Sequence, residues 1–254
     1  MTKIIKSIPE WKQLRKSKEF FGKSTGFVPT MGALHAGHES LIQTCAGQND
    51  ISVVSIFVNP TQFNDPNDFK NYPVTFDKDL YLLEQSKVDF LFQPEWNEIY
   101  HDNYKYRVNE NELSKILCGA FRPGHFDGVL TIVLKLLNII EPDKTYFGEK
   151  DFQQYKLIDG MAKAFFLNTE IIPCLTIREK DGLAMSSRNL LLTAAERKHA
   201  VHFPELLMSK KSADEIKKEL EELGFKVDYI TDYDGRRFGA VHLGKVRLID
   251  NVQL

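Results

Sequence analysis

The stretch Ile51 to Val58 constrains the fold more than any other. Five of its eight residues are β-branched (Ile51, Val53, Val54, Ile56, Val58), and Asn59-Pro60 closes it. A strand this apolar on both faces belongs inside a parallel sheet that is covered on both sides. Parallel neighbours need long crossover connections, usually helices. The flanking sequence supplies that alternation. Strands are expected at Gly26–Val28 (ending at Pro29), Val88–Phe92, Tyr104–Val108, Lys144–Phe147 and Glu170–Ile177. Helices are expected at 11–21, 38–48, 76–87, 112–117, 128–140 and 150–166.

Beyond Ile177 the texture changes. A polar loop, Arg178–Asn189, precedes a helix expected over 193–207. Ser212 with Glu215 is a capping-box start for a helix over 212–223, and Gly224 follows its end. Strands over 226–230, 237–243 and 245–249 follow, with Asp234-Gly235 as the turn between the first two. The expected organisation is an α/β domain over 1–177 and a small α+β domain over 178–254.

Composition removes whole classes of function. The 254 residues hold 33 Lys+Arg against 35 Asp+Glu, a net charge of −2. That balance argues against a nucleic-acid partner, which would call for a basic excess. Hydrophobic residues make up 43%, enough for a packed core. Cys45, Cys118 and Cys174 are odd in number and widely spaced, so buried thiols are expected rather than disulfides or a zinc site. Residues 1–10 lack a secretory pattern, and the apolar run 129–140 is too short to span a bilayer. A cytoplasmic location with no membrane partner is expected.

Chemistry concentrates at strand-to-helix junctions, where open α/β sheets bind ligands. Pro29-Thr30-Met31-Gly32-Ala33-Leu34-His35-Ala36-Gly37-His38 follows a strand and opens a helix. A helix start suits phosphate, and two histidines three apart share one face of the first turn. The plainer alternatives are surface histidines or a metal pair lacking its third ligand. Phe147 to Gln154 repeats the arrangement, with Lys150 as the phosphate cation or a solvated lysine. Asn59 and Gln62 stand at the end of the Ile51 strand, as substrate amides or as a structural turn. Arg122 precedes the most apolar helix, as an anion ligand or a cap. In Asp181 to Asn189, Ser186, Ser187 and Arg188 could hold phosphate oxygens, or the segment is simply an interdomain linker. Gly22-Lys23-Ser24 only imitates a P-loop, since Ser17 stands where the first glycine is required. His199 and His202 suit a surface role.

In this order the segments resemble the pantoate–β-alanine ligase (pantothenate synthetase) family, from residue 26 to about 197. His35-Ala36-Gly37-His38 is shared with the wider HIGH-type nucleotidyltransferases. Asn59-Pro60-x-Gln62-Phe63, Arg122 to Phe126 and Phe147 to Gln154 are together more specific. Asp181–Asn189 is similar to the counterpart of the synthetase KMSKS loop. The resemblance implies a Rossmann-like nucleotidyltransferase domain with a small C-terminal lid, and a homodimer. It implies that pantoate is adenylated by ATP, with release of pyrophosphate, and that β-alanine then displaces AMP to give pantothenate. It assigns ATP to Met31, Gly32, Ala33, Leu34, His35, Ala36, Gly37, His38, Gly148, Glu149, Lys150, Asp151, Ile177, Met185, Ser186, Ser187 and Arg188. Of these, His38, His35, Lys150 and Arg188 act on the reacting groups, His38 as proton donor. Gln62, Gln154, Thr30, Asn59 and Arg122 face the acid and amine substrates. Mg²⁺ is expected to accompany ATP, held largely by phosphates.

Two departures stand out. Val74 occupies the arginine position of a Tyr-Pro-Arg-Thr string. The tail is roughly 25 residues shorter than a two-domain member of this kind would suggest, between Leu207 and Ser212. A cytidylyltransferase, or an ATP binder that has lost catalysis with its tail, are the competing readings.

Overall fold

The Ile51 run occupies the interior of its sheet, as its composition demands. A computed structural model describes residues 1–254. In chain order the elements are β1 (Lys3–Ile5), α1 (Ile8–Arg15), β2 (Thr25–Thr30), α2 (Ala36–Gln48), β3 (Ile51–Ile56), α3 (Pro66–Lys70), α4 (Phe76–Gln85), β4 (Phe90–Phe92) and α5 (Trp96–Ile99). There follow α6 (Cys118–Phe121), α7 (His125–Ile140), β5 (Lys144–Gly148), α8 (Phe152–Ala164) and β6 (Glu170–Cys174). The last part holds α9 (Ala194–His199), α10 (His202–Leu207), α11 (Ala213–Glu222), β7 (Lys226–Tyr233), β8 (Arg236–Leu243) and β9 (Val246–Gln253).

The first six strands form one parallel sheet in the order β1-β4-β3-β2-β5-β6. It is a Rossmann-like sheet with helices on both faces. The last three strands form a separate antiparallel sheet, β7-β8-β9. The strand order reverses between β2 and β5, and ligands of such sheets bind at that crevice.

Ile51, Val53 and Val54 are at most 3% exposed, so each contributes roughly 1.5–3 kcal/mol through burial. The sheet separates two clusters. One packs Phe27, Val53, Phe90 and Phe92 against α1 and α7; the other packs Val28, Val54 and Leu91 against α2 and α4. This is the period-two alternation of a strand buried on both faces. A third cluster (Phe203, Leu207, Ile216, Leu220, Val241) unites α10 and α11 with the antiparallel sheet.

Several expectations change in detail. β2 continues through Pro29, which lies beyond the β5 pairing at Gly26 and Phe27, so no ladder donor is missing there. Residues 104–108 form no strand, because β1, too short to recognise in the sequence, already covers β4. The segment instead wraps α7, with Val108 N–H donating to Thr131 Oγ1 at 2.9 Å. The helix expected over 193–207 divides into α9 and α10, because Pro204 has no N–H to continue the first helix. Residues 112–117 reduce to a 3₁₀ turn at Leu113–Lys115. β6 stops at Cys174, short of Ile177. Asp234 and Gly235 both have positive φ (48° and 73°), and their hairpin joins longer strands than expected. The cysteines are free and buried, and no helix is long and apolar enough to cross a membrane.

α7 carries Gly128 where it crosses the 3₁₀ turn Pro60–Gln62, and a Cβ there would overlap the Thr61 carbonyl. Gly128→Ala should therefore destabilise the fold by about 1–3 kcal/mol, read from denaturant midpoints, by forcing that turn off α7.

Candidate active site

The loop from β2 to α2 is held by side chains. Gly32 N–H donates to Thr30 Oγ1 (3.1 Å), and Thr30 Oγ1 donates to the Ser55 carbonyl (2.7 Å). Ala33 and Leu34 N–H donate to the two oxygens of Asp79 on α4 (2.9 and 2.8 Å). Thr75 Oγ1 donates to the same carboxylate at 3.0 Å. His35 then caps α2: its Nδ1 accepts from Gly37 N–H at 3.1 Å, while His38 Nδ1 accepts from His35 N–H at 3.3 Å. The two rings lie 4.1 Å apart.

Burial, then nearby Lys150, lowers the His35 pKa to about 4, against smaller opposing effects of Asp151 and Glu179. Burial, then His35 and Lys150, lowers His38 to about 3. Both imidazoles are therefore neutral at pH 7. Because Nδ1 accepts on each ring, each carries its proton on Nε2. Both Nε2–H groups lack a protein partner, and both residues line a cavity of about 1330 Å³. That volume exceeds the usual small-ligand pocket and suits a nucleotide with a second substrate.

The opposite wall is built from the turn after β3. Gln62 and Asn59 both line the cavity, but their freedom differs. Asn59 is 1% exposed; its amide donates to Gln62 Oε1 (3.0 Å) and to the Gly128 carbonyl (3.2 Å). Its oxygen accepts from Tyr100 Oη (2.9 Å) and Thr61 Oγ1 (3.0 Å). Asn59 is thus consumed in orienting Gln62. Arg122 and His125 hold the backbone of the same residue. His125 Nδ1–H donates to the Gln62 carbonyl at 2.7 Å, Arg122 Nη2 donates to it at 3.2 Å, and Arg122 Nη1 donates to His125 Nε2 at 3.0 Å. Burial, then Arg122, pushes His125 down to about 3. Gln154 also lines the cavity, and its amide has no protein partner. Its neighbour Gln153 is spent on the backbone of Leu113, Ile116 and Cys118.

Gly148, Lys150 and Asp151 reach the cavity after β5, and Ile177, Met185, Ser186, Ser187 and Arg188 reach it from the loop after β6. Met185 N–H donates to the Ile177 carbonyl at 3.0 Å, and Ser186 Oγ accepts from Arg188 N–H at 3.2 Å. Arg188 is not free: Nη2 lies 2.9 Å from Asp68 of α3. Met31, Gly37 and Thr30 complete the β2 side. Gly32, Ala33, Leu34, Ala36 and Glu149 do not line the cavity. The loop amides are occupied by Thr30 and Asp79, and the Glu149 carboxylate turns to Arg236 (3.3 Å).

Comparison with known proteins shows the family. The Pantoate-beta-alanine ligase family model matches residues 3–253. The chain belongs to the pantoate–β-alanine ligase family. It is 54% identical to a pantothenate synthetase of Bdellovibrio bacteriovorus over 254 residues, 100% of both chains. It is 52% identical to one from Legionella pneumophila over 99% of each. Its fold superposes with a TM-score of 0.95 on the Francisella tularensis pantoate-beta-alanine ligase complexed with β-γ ATP and β-alanine, at 44% identity over 100% of this chain and 98% of that one. A Thermus thermophilus pantothenate synthetase gives 0.90 at 33% identity, with 99% of each chain covered. The chain is thus an enzyme, a ligase of pantothenate synthesis.

The short tail of this ligase is shared with the Bdellovibrio relative, which aligns over the whole of both chains. Val74 does not alter the cavity: it is 79% exposed and stands outside the lining. Residues invisible in the motifs come from the antiparallel sheet. Asp228, His242 and Arg247 line the cavity, Asp228 accepting from Arg247 Nε (2.8 Å) and lying 3.1 Å from His242 Nε2. Asn251 donates to the carbonyls of Glu149 (2.8 Å) and Lys150 (2.9 Å), setting the phosphate-side loop from the C-terminal part. No sequence motif marks a residue that acts through backbone contacts. His199 is half-buried, its Nε2–H donating to the Leu223 carbonyl (2.7 Å) and its ring stacked on Phe225.

His35, His38 and His125 all titrate lower folded than the ordinary 6.5. Their neutral forms are what folding favours, so this stability is complete above pH 6.5 and drains as pH falls toward 4 and 3. Denaturant midpoints should drop across that window. The drop should shrink when His35 and His38 are both replaced by Asn.

Proposed function

We propose that the cavity adenylates pantoate with ATP and then joins it to β-alanine, releasing pyrophosphate and AMP. The observation that carries this reading is the pair of neutral imidazoles whose Nε2–H groups face a cavity shared with Lys150, Gln62 and Gln154. A pantoate carboxylate oxygen attacks the α-phosphorus, and the bond from that phosphorus to the pyrophosphate oxygen breaks. Charge then grows on phosphate oxygens, where preorganised N–H donors act most strongly. His38 and His35 donate to those oxygens, and Lys150 balances the charge. The β-alanine amine next attacks the acyl carbon; an amide bond forms as the bond from that carbon to the phosphate oxygen breaks, AMP leaves with the electron pair, and the amine's proton passes to water.

Gln62 and Gln154 suit the neutral hydroxyl and carboxylate groups of pantoate. Asn59, Arg122 and His125 serve by holding Gln62. The Francisella complex with β-γ ATP and β-alanine supports this choice of substrates. The chain groups no three His, Cys, Asp or Glu side chains for a metal. Mg²⁺ would accompany ATP, held largely by its phosphates and water, and would supply charge neutralisation there. Residues 1–177 act as the binding domain and 178–254 as its lid. A cytoplasmic homodimer is part of the same reading, supported by family resemblance.

ATP–pyrophosphate exchange with pantoate, without β-alanine, tests the first half-reaction. Exchange should require pantoate and vanish in the folded His35→Ala/His38→Ala double variant. Exchange with CTP but not ATP would point instead to a cytidylyltransferase. The ion pair at Arg188 adds a second expectation. To meet departing pyrophosphate Arg188 must leave Asp68, so Asp68→Asn should lower the Kd for ATP several-fold in calorimetry. Stability should change by less than about 1 kcal/mol, because the pair is part-exposed.

A further inference from the structure

Asp79 is a carboxylate buried to 2% exposure with no basic side chain in ion-pair reach. Its partners are Ala33 N–H, Leu34 N–H and the Thr75 hydroxyl. Consecutive backbone N–H groups of this kind form a concavity that binds anions. Here the protein fills it from within, so a nucleotide phosphate cannot use it. Ala33 holds a left-handed φ of 49°, a conformation a residue with a side chain keeps only where its surroundings impose it. One residue beyond Leu34, His35 caps α2.

We propose that Asp79 is a positioning residue for the reaction: its carboxylate seats the 33–34 backbone so that His35 and His38 present Nε2–H to the cavity. The proposal rests on the adenylation reading only for its kinetic consequence; the seating can be measured without substrate.

Charge and position predict opposite signs. Around His35 stand Lys150, Asp151 and Glu179, and around His38 stand His35 and Lys150. If Asp79 acted on the rings by its negative charge, removing that charge would lower their pKa values further. If it acts by seating the loop, losing it releases the rings toward water and raises them. In Asp79→Asn one N–H would face an amide NH₂ instead of an oxygen, breaking the seat while keeping the shape.

The experiment is a ¹⁵N NMR titration of the imidazoles in ligand-free wild-type and Asp79→Asn protein, with ATP–pyrophosphate exchange on both. The expected result is a rise of the His35 and His38 titrations from about 4 and about 3 toward 6.5. The exchange kcat should fall about tenfold or more with a smaller change in the KM for ATP, as misplaced reacting groups require. Unchanged titrations, or a further fall, in folded Asp79→Asn protein would overturn the proposal. If that variant does not fold, Thr75→Val takes its place, removing one bond to the carboxylate. It should raise the titrations by a smaller amount, and no change would overturn the proposal equally. If wild-type protein shows no exchange, the adenylation reading fails while the titration still decides the seating.

Discussion

The site depends on who accepts the backbone hydrogen bonds of a single loop. Between β2 and the first turn of α2, the N–H groups of Gly32, Ala33, Leu34, His35 and Gly37 all donate to side chains: Thr30, Asp79, His38 and His35. Buried N–H groups left unpaired would each cost about 1–3 kcal/mol. Satisfying them locks the loop, and two of the acceptors are the imidazoles themselves. The same bonds that cap the helix therefore fix the tautomer, leaving the proton of each ring on Nε2.

The second constraint is the contact between the two sheets. Arg178 grips the fully buried Asp250 through two nitrogens at 2.6 and 3.0 Å. Arg236 reaches Glu149 and lies 3.9 Å over the Phe152 ring, while Asn251 holds the Glu149 and Lys150 carbonyls. These contacts fall on the loop after β5 and the loop after β6, both of which line the cavity. Bidentate, buried pairs have a defined geometry that single exposed ones lack. Moving the C-terminal part would thus move the Lys150 backbone with it.

Much of this was legible in the sequence, for identifiable reasons. The alternation of apolar strands and helices, the capping box at Ser212 and the Asp234-Gly235 turn rest on local chemistry, which neighbours along the chain determine. The cavity residues near strand ends were legible because topology places ligands there. What sequence could not show is long-range: β1 becomes a strand only by pairing with β4, and Tyr104–Val108 fails to become one because that edge is taken. Likewise Ala33 and Leu34 look like phosphate-binding amides until Asp79, about 45 positions onward, is seen to occupy them. The four bonds that hold the Asn59 side chain at the cavity wall are equally invisible in the sequence.

The pattern of charge explains why neutral histidines suit this pocket. Arg188 is paired with Asp68, Arg247 with Asp228, and Arg122 stands against a neutral His125. Three of the cations that line the cavity, Arg188, Arg247 and Lys150, thus each lie against a carboxylate, Lys150 at 3.7 Å from Asp151. An unbalanced set would hold the ground-state triphosphate too firmly, and binding energy shared equally by ground and transition states does not speed the chemical step. Neutral Nε2–H donors respond to charge that develops on phosphate oxygens without adding a full positive charge to the resting site. Lys150 beside them depresses their pKa values. Burial and the neighbouring lysine thus act in the same direction, and together they keep both imidazoles neutral where they line the cavity.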